Sequence, residues 1–250
     1  LFGKEIKMDY KSLEFKCGLE IHQQLETHKL FCKCPSLTNT NKVDYTVKRK
    51  LKASAGELGK VDIAALYEVQ KNKDFVYEVN KDTTCLIELD ESPPEELNKD
   101  ALEVALQIAL LTNAKIIDEV QIMRKTVLDG SNVSGFQRTA LIAINGSIKT
   151  SKGEVKIPTI CLEEEAAKKI KQDEKTIFYN LDRLGIPLIE IATDSSIKDP
   201  EHAKESAEII GMILRSTDKV KRGLGTIRQD VNLSIKGHPR VELKGFQDLK

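Results

Sequence analysis

Apolar and polar residues alternate along residues 13–25. One parity is apolar and the other is polar: Phe15, Cys17, Leu19 and Ile21 against Lys16, Glu20, His22 and Gln24. Because successive side chains leave a strand on opposite faces, this period predicts a strand that is buried on one side. A similar alternation at 225–236 predicts another, with its polar parity formed by Arg228, Asp230, Asn232 and Ser234.

Two segments carry apolar residues at helical spacing instead. Ser92 and Glu95 have the spacing of a capping box, and the apolar set after them recurs every three or four residues as far as Leu111. Asp199 followed by Pro200 is typical of a helix cap and first turn, and the pattern continues to about Arg215. We therefore predict two helices, one after each cap.

Shorter strand-like runs occupy much of the remaining chain, at 45–47, 75–79, 119–125, 137–144, 155–162, 186–193 and 240–243. A short helix is predicted after Glu163, and the rest of 39–80 shows no firm pattern. No repeat, low-complexity tract or linker divides the chain. We predict one α+β domain with a largely antiparallel sheet and flanking helices.

Length, charge and cysteine content exclude several classes of protein. The 250 residues are enough for a hydrophobic core without disulfides, and no run approaches the roughly 18 apolar residues of a membrane span. Lys and Arg number 39, as do Asp and Glu, which excludes a strongly basic protein but leaves room for a local basic surface. Five cysteines, an odd number, favour a reducing compartment, so we predict a cytoplasmic protein that does not associate with membranes.

The two ends indicate a piece of a larger protein. Leu1 is not an initiator methionine, the first residues lack the apolar core of a signal peptide, and the last ones stop within a strand-like alternation. We expect this chain to be the front part of a longer protein.

Glu190 is a carboxylate in a segment that is otherwise fit for a buried strand, between Ile189 and Ile191. A lone buried carboxylate costs several kcal/mol unless it is paired, hydrogen-bonded or bound to a metal. An outward-facing glutamate on an edge strand would explain the pattern equally well. Glu190 therefore points to a site only if other polar groups lie beside it.

Such groups occur in three other segments. Glu20 and His22 leave one face of the first strand, and Asp230 belongs to the polar parity of 225–236. The acids at 163–165 directly follow the run at 155–162, where a strand is expected to lead into a helix. A solvated sheet face, or acids in a first helical turn, would also account for them. Together they would place four or five acids and one imidazole on a concave face. Such ligands suit Mg²⁺ or Mn²⁺ better than zinc, and carboxylates gathered this way most often hold Mg²⁺ on nucleotide phosphates.

The cysteines do not predict a complete zinc site. Cys32 and Cys34 form a C-x-C pair without a second C-x₂-C, Cys85 stands alone, and Cys161 falls in a predicted strand. The remaining histidines, at 28, 202 and 238, have polar neighbours and are interpreted as surface residues.

Eight motifs occur in an order that identifies a family. They are GLEIHQQL at 18–25, KLF at 29–31, RK at 124–125, SGFQRT at 134–139, LEE at 162–164, GIPLIEIA at 185–192, RQDVN at 228–232 and VELKG at 241–245. With them the chain resembles the GatB/GatE family of tRNA-dependent amidotransferases over nearly its whole length. The variants SGFQRT and RQDVN are closer to the archaeal E branch than to the bacterial B branch.

The resemblance implies a fold and a reaction. Residues 1–250 would form the catalytic cradle domain, similar in fold to glutamine synthetase, without the inserted domain and the C-terminal tRNA-binding tail. ATP would phosphorylate the γ-carboxylate of glutamate carried by tRNA(Gln), and ammonia would then displace phosphate. An asparaginase-like GatD partner would supply the ammonia, so the protein would work in a hetero-oligomer.

The resemblance also implies roles for residues of this sequence. The Mg²⁺ ligands would be Glu20, His22, Glu163, Glu164, Glu190 and Asp230. Among these, Glu164, Glu190 and Asp230 would be catalytic, and the ATP phosphates would lie near Arg124, Lys125, Arg138 and Arg228. Cys161 replaces the histidine usual in bacterial relatives, and only part of the family's zinc pattern is present, which leaves a metal role of Cys32 and Cys34 in doubt.

Two other functions fit parts of the sequence. A non-catalytic scaffold that binds the tRNA acceptor end would use the Lys-rich stretches at 42–52 and 219–222. A ligase resembling glutamine synthetase would amidate free glutamate without tRNA.

Overall fold

The computed structural model describes residues 8–38, 40–51 and 59–246. The elements found there, in chain order, are β1 (Lys16–Gln24), β2 (Tyr45–Lys50), α1 (Ile63–Gln70), β3 (Asp74–Val79), α2 (Lys99–Leu111), β4 (Lys115–Ile116), β5 (Ile122–Thr126), β6 (Phe136–Thr150), β7 (Gly153–Glu164), β8 (Lys168–Gln172), β9 (Thr176–Asn180), β10 (Pro187–Ala192), α3 (Pro200–Ser216), β11 (Ile227–Ser234) and β12 (Val241–Phe246).

The larger sheet has eight strands, in the order β12-β11-β1-β10-β7-β6-β4, with β5 also paired to β6. All of its pairs are antiparallel. The α+β class with a largely antiparallel sheet is therefore confirmed, whereas the likeness to glutamine synthetase stays a prediction.

A second sheet has four strands in the order β2-β3-β9-β8, and its β3–β9 pair is parallel. Strands β8 and β9 lie in the chain between β7 and β10, which are neighbours in the larger sheet. The two sheets are thus connected through the segment that joins these two central strands. Phe75, Tyr77, Ile177 and Tyr179 belong to the core of the smaller sheet.

Helices α2 and α3 cover one face of the larger sheet. Helix α2 packs against β6 and β7, and α3 packs against β1 and β6. The strand residues beneath them are aliphatic and almost fully buried: Leu19, Ile21, Ile160, Leu162, Ile189 and Ile191. We call this side the helix face. The opposite parity of the same strands carries the polar residues and is called the acid face.

The two predicted helices form, but one begins later than expected. Asp199 caps α3 by accepting from His202 N, as predicted. Helix α2 begins at Lys99 with Asn98 as its cap, so the prediction of a start at Ser92 was wrong. The preceding residues bond to the loop after β1 instead, since Glu95 N donates to Phe31 O and Asn98 N to Leu30 O.

The predicted helix after Glu163 was wrong. Strand β7 continues to Glu164, where the register pairs Glu163 with Leu188 and Glu164 with Pro187. Four of the described elements were not predicted at all. They are α1, in which only Ala65 is buried, the two-residue strand β4, the exposed and lysine-rich β8, and β9.

His202 is buried, contrary to the prediction of a surface residue. It lies on α3, where its Nδ1 accepts from Lys198 N and its Nε2 is 2.8 Å from Thr150 Oγ1. Among the described residues, no helix is long and apolar enough to cross a membrane.

Candidate functional site

Strand register brings the predicted acids together on the acid face. His22 lies opposite Glu190 of β10 on one side and opposite Arg228 of β11 on the other. Glu20, two residues earlier, lies opposite Asp230. Because paired residues of an antiparallel sheet point to the same side, these five side chains share one face.

Glu163 extends this group onto β7. It pairs with Leu188, two residues from Glu190, and so shares the acid-face parity. Its carboxylate accepts from Thr139 Oγ1 at 3.0 Å and from Gln137 Nε2 at 3.2 Å. Glu163 is thus buried and held in place by two neutral donors of β6.

Glu20, His22 and Glu190 form the centre of the acid face. His22 Nε2 lies 3.5 Å from Glu20 Oε1 and 3.4 Å from Glu190 Oε2. One ligand atom from each of the three lies within 4.8 Å of the others, close enough to share one ion. The Oε2 atom of Glu190 is buried and has no hydrogen-bond partner among the described residues. Two carboxylates and one imidazole, with one carboxylate oxygen left without a hydrogen bond, fit a hard divalent cation such as Mg²⁺ or Mn²⁺.

The carboxyls of the acid face differ in their affinity for a proton. Burial raises the pKa of Glu163, and the charge of Glu190 raises it further. Burial alone would raise the pKa of Glu190, but His22 and Lys125 outweigh it and hold that pKa below its usual value. Burial would lower the pKa of His22, yet the surrounding carboxylates raise it. Of this pair, Glu190 is therefore the carboxylate that favours the ionised form, the form that binds a cation.

Two of the predicted phosphate-binding cations border the acid face. Lys125 Nζ lies 3.5 Å from Glu163 Oε1 and 3.8 Å from Glu190 Oε2, and the side chain is 57% exposed. Arg228 donates from Nη2 to Glu165 Oε1 at 3.0 Å. Asp230 is bound by Lys244 at 2.7 Å. A positive rim thus accompanies the acids, as binding of a polyphosphate would require.

Glu164 does not join the other acids. It follows Glu163 directly and therefore leaves β7 on the opposite side, where Arg138 Nη1 lies 3.1 and 3.2 Å from its two oxygens. Arg138 also lies over the Phe31 ring, and Arg124 is its register partner on β5. The expectation that Glu164 shares one face with Glu20, His22 and Glu190 was wrong, because consecutive strand residues alternate sides.

Three polar residues at the site had no assigned role in the sequence analysis. Gln137 and Thr139 lie within the SGFQRT motif, and their shared parity two residues apart was the available signal. Glu165 lies next to the predicted acids, but its partners, Gln24 and Arg228, are distant in sequence. Cys161 lies opposite Glu190, and burial, assisted by the charge of Glu190, raises the pKa of the Cys161 thiol to about 12.

A separate group of metal-type ligands surrounds Glu88. Ligand atoms of Cys32, Cys34, Cys85 and Glu88 lie within 4.8 Å of one another. The buried Glu88 accepts from Cys32 Sγ at 2.8 Å and from Cys85 N at 2.7 Å. Three thiols and one carboxylate are a donor set suited to Zn²⁺. Sequence reasoning missed the set because a glutamate takes the fourth position.

Comparisons with known proteins show which family the chain resembles. The family model described as the GatB/GatE catalytic domain matches residues 15–250. The E subunit of glutamyl-tRNA(Gln) amidotransferase from Thermococcus gammatolerans is 57% identical over 243 residues, which cover 97% of this chain and 38% of the relative. The E subunits from Methanocaldococcus jannaschii and Archaeoglobus fulgidus are 54% and 53% identical, with 98% and 97% of this chain and 39% and 40% of the relative covered.

The chain thus spans about two-fifths of the length of these relatives. The family match nevertheless extends across both sheets and includes every residue of the acid face. On that match, and on the identity to the three archaeal proteins, this chain belongs to the GatB/GatE family of catalytic domains.

Proposed function

We propose that this chain is the catalytic domain of a tRNA-dependent amidotransferase subunit that uses ATP and Mg²⁺ to convert glutamate carried by tRNA(Gln) into glutamine. The observation that carries the proposal is the group of Glu20, His22 and Glu190 around a buried oxygen without a hydrogen-bond partner. The three relatives that bear the name glutamyl-tRNA(Gln) amidotransferase support the substrate.

The reaction would have two steps. The γ-carboxylate of the tRNA-bound glutamate attacks the terminal phosphorus of ATP, so that ADP leaves and an acyl phosphate forms. Ammonia then attacks the activated carbonyl carbon, phosphate leaves, and glutaminyl-tRNA(Gln) results. Both steps develop negative charge on phosphate oxygens, so a site for them needs fixed positive charge.

The residues of the acid face divide this work. Glu20, His22 and Glu190 would hold the divalent cation, together with Glu163 or Asp230 at its edge. The cation, when bound, would neutralise phosphate charge and orient the transferred group. Lys125 and Arg228 would bind phosphate oxygens from the two sides of the face.

Residues on the helix face would act differently. Glu164 was predicted as a catalytic ligand, and Arg124 and Arg138 as phosphate-binding residues. In the structure, Glu164 and Arg138 neutralise each other. We therefore assign the Glu164–Arg138 pair to the support of β6 and β7, with no direct contact to the nucleotide.

The proposed reaction requires a partner that supplies ammonia. Ammonia would come from an asparaginase-like subunit, so the protein would act as part of a hetero-oligomer. Free ammonium can replace that subunit in a test. The assay is formation of glutaminyl-tRNA from Glu-tRNA(Gln) by the full-length protein with ATP, Mg²⁺ and ammonium.

The deciding variant is Glu190→Gln, and the matched control is Glu208→Gln, which changes an exposed acid of α3. Product that requires ATP, Mg²⁺ and Glu190, but not Glu208, is the expected result. Binding of charged tRNA without product would instead favour a scaffold. Amidation of free glutamate would favour a small-molecule ligase.

A further inference from the structure

Glu165 is a buried carboxylate at the margin of the acid face. The residue is 2% exposed and follows the last residue of β7. Its backbone is fixed by bonds to the chain before β10, since Glu165 N donates to Ile186 O and Gly185 N donates to Glu165 O. Its side chain is therefore placed by the same two strands that carry Glu163 and Glu190.

Three side chains surround the Glu165 carboxylate. Gln24 Nε2 donates to Oε2 at 3.0 Å, Arg228 Nη2 donates to Oε1 at 3.0 Å, and Arg183 Nε lies 3.8 Å from Oε1. Gln24 continues the Glu20–His22 parity of β1, and Arg228 is the register partner of His22. Glu165 thus lies at the edge of the acid face and accepts hydrogen bonds from two of its residues, Gln24 and Arg228.

The two arginines are held differently. Arg183 has two further acceptors, the carbonyl oxygens of Ala166 and Ala167, and so fastens the loop after β7. The Arg228 guanidinium makes no other hydrogen bond within the described part of the chain, and the side chain is 38% exposed. A guanidinium has five N–H donors in a rigid fork, so contact with Glu165 orients Arg228 while leaving donors for another group.

We propose that Glu165 is a positioning residue that fixes the guanidinium of Arg228 beside the acid face, ready to bind the phosphate groups of the nucleotide. The inference rests on the proposed function, because the bound group is the ATP of that reaction. An arginine that is already oriented pays no ordering cost as charge develops in the transition state. Glu165 acts through Arg228 and does not touch the substrate.

A double-mutant cycle separates this role from a structural one. In the full-length protein, Glu165→Gln is expected to lower kcat about 30-fold and to raise KM for ATP less than threefold, because the oriented cation acts mainly in the transition state. In an Arg228→Ala background, the same change should lower kcat less than twofold.

The matched control cycle combines Glu165→Gln with Arg183→Ala. A structural role of Glu165 through Arg183 would appear there as coupling in the free energy of unfolding, with no coupling in kcat. Equal loss of kcat from Glu165→Gln with and without Arg228 would overturn the proposal. If Glu165→Gln does not fold, Glu165→Asp takes its place, since it retains the charge one methylene short of Arg228.

A crystal structure of the Glu165 variant without nucleotide gives a second measurement that does not depend on activity. The Arg228 guanidinium should leave its position while Glu20, His22 and Glu190 keep theirs. An unmoved Arg228 would contradict the proposal even if the parent protein made no product. Absence of product from the parent, with Arg228 displaced in the variant, would overturn the proposed function but not the role of Glu165.

Discussion

The two faces of the eight-stranded sheet are built from the same strands but differ in what their side chains do. On the helix face, Ile160, Leu162 and Ile189 are fully buried beneath helices. On the acid face, His22 and Glu190 lie close to charged neighbours. Glu163 and Glu164 show the contrast within two residues, since one belongs to the acid group and the other to an internal ion pair.

The helix face mainly determines the stability of the fold, and the acid face mainly determines its activity. Burial of aliphatic side chains stabilises the fold by about 25 cal/mol for each Å² removed from water. Like charges gathered on the acid face oppose folding, and the neighbouring His22, Lys125 and Lys244 offset that repulsion, as a bound cation would. We therefore expect substitutions on the helix face to change stability first, and substitutions on the acid face to change activity first.

Leu162→Ala should have the largest effect on stability. Leu162 is fully buried on the helix face, and its truncation leaves a cavity in the core. We expect a loss of about 4 kcal/mol in the free energy of unfolding, measured by urea titration. The activity of each folded molecule should remain close to that of the parent. A protein that kept its stability but lost its activity would contradict the division between the faces.

Glu164→Gln should also act through stability. The change removes the charge that neutralises Arg138, whose side chain is 11% exposed. Breaking a buried ion pair from one side leaves an uncompensated charge, so we expect a loss of about 3 kcal/mol in the free energy of unfolding. The ATP concentration for half-maximal activity should not change. A large rise in that concentration would instead show that Glu164 contributes to nucleotide binding.

Glu163→Gln is the matched change on the acid face. The amide oxygen can still accept from Thr139, and the substitution removes a negative charge beside Glu190. The free energy of unfolding should change by less than about 1 kcal/mol. The rate of amide formation should fall about tenfold, because Glu163 is part of the charged group around the cation. Loss of stability with unchanged rate would place Glu163 with the structural residues.

Acidification should lower the free energy of unfolding through His202, which is buried on helix α3. Burial lowers the pKa of His202 below its usual value of 6.5, so the folded protein prefers the neutral ring. The unfolded chain then binds the proton more readily, and the free energy of unfolding should fall as the pH falls below 6.5 toward the folded pKa. His202→Gln should remove this part of the pH dependence in urea titrations between pH 7 and pH 5. An unchanged slope would exclude His202 as its source.

Alternation predicted the parts of the site that lie on regular strands. The parity of β1 placed Glu20 and His22 together, and the apolar neighbours of Glu190 marked it as a carboxylate in a buried strand. The run of three acids at 163–165 carries no such signal, because acids occupy both parities. Only the register of β7 against β10 separates Glu163 from Glu164.

The parts of the fold that were missed lack an apolar pattern or depend on distant residues. Strand β8 is fully exposed and mostly lysine, and α1 buries a single alanine, so neither follows the usual periodicity. Asn98, and not Ser92, is the N-cap of α2, because the backbone N–H groups of Glu95 and Asn98 donate to the loop after β1. Such contacts join residues that are far apart in the chain and leave no local signal.

The central claim is that the acid face holds the divalent cation, and Mn²⁺ tests it most directly because it can be located by its anomalous scattering. We would measure crystals of the protein grown with Mn²⁺ and a non-hydrolysable ATP analogue. We expect an anomalous peak in contact with Glu190 Oε2 and bounded by Glu20 and His22, and we expect it to disappear in Glu190→Gln. A bound analogue with its metal away from these three residues would contradict the account.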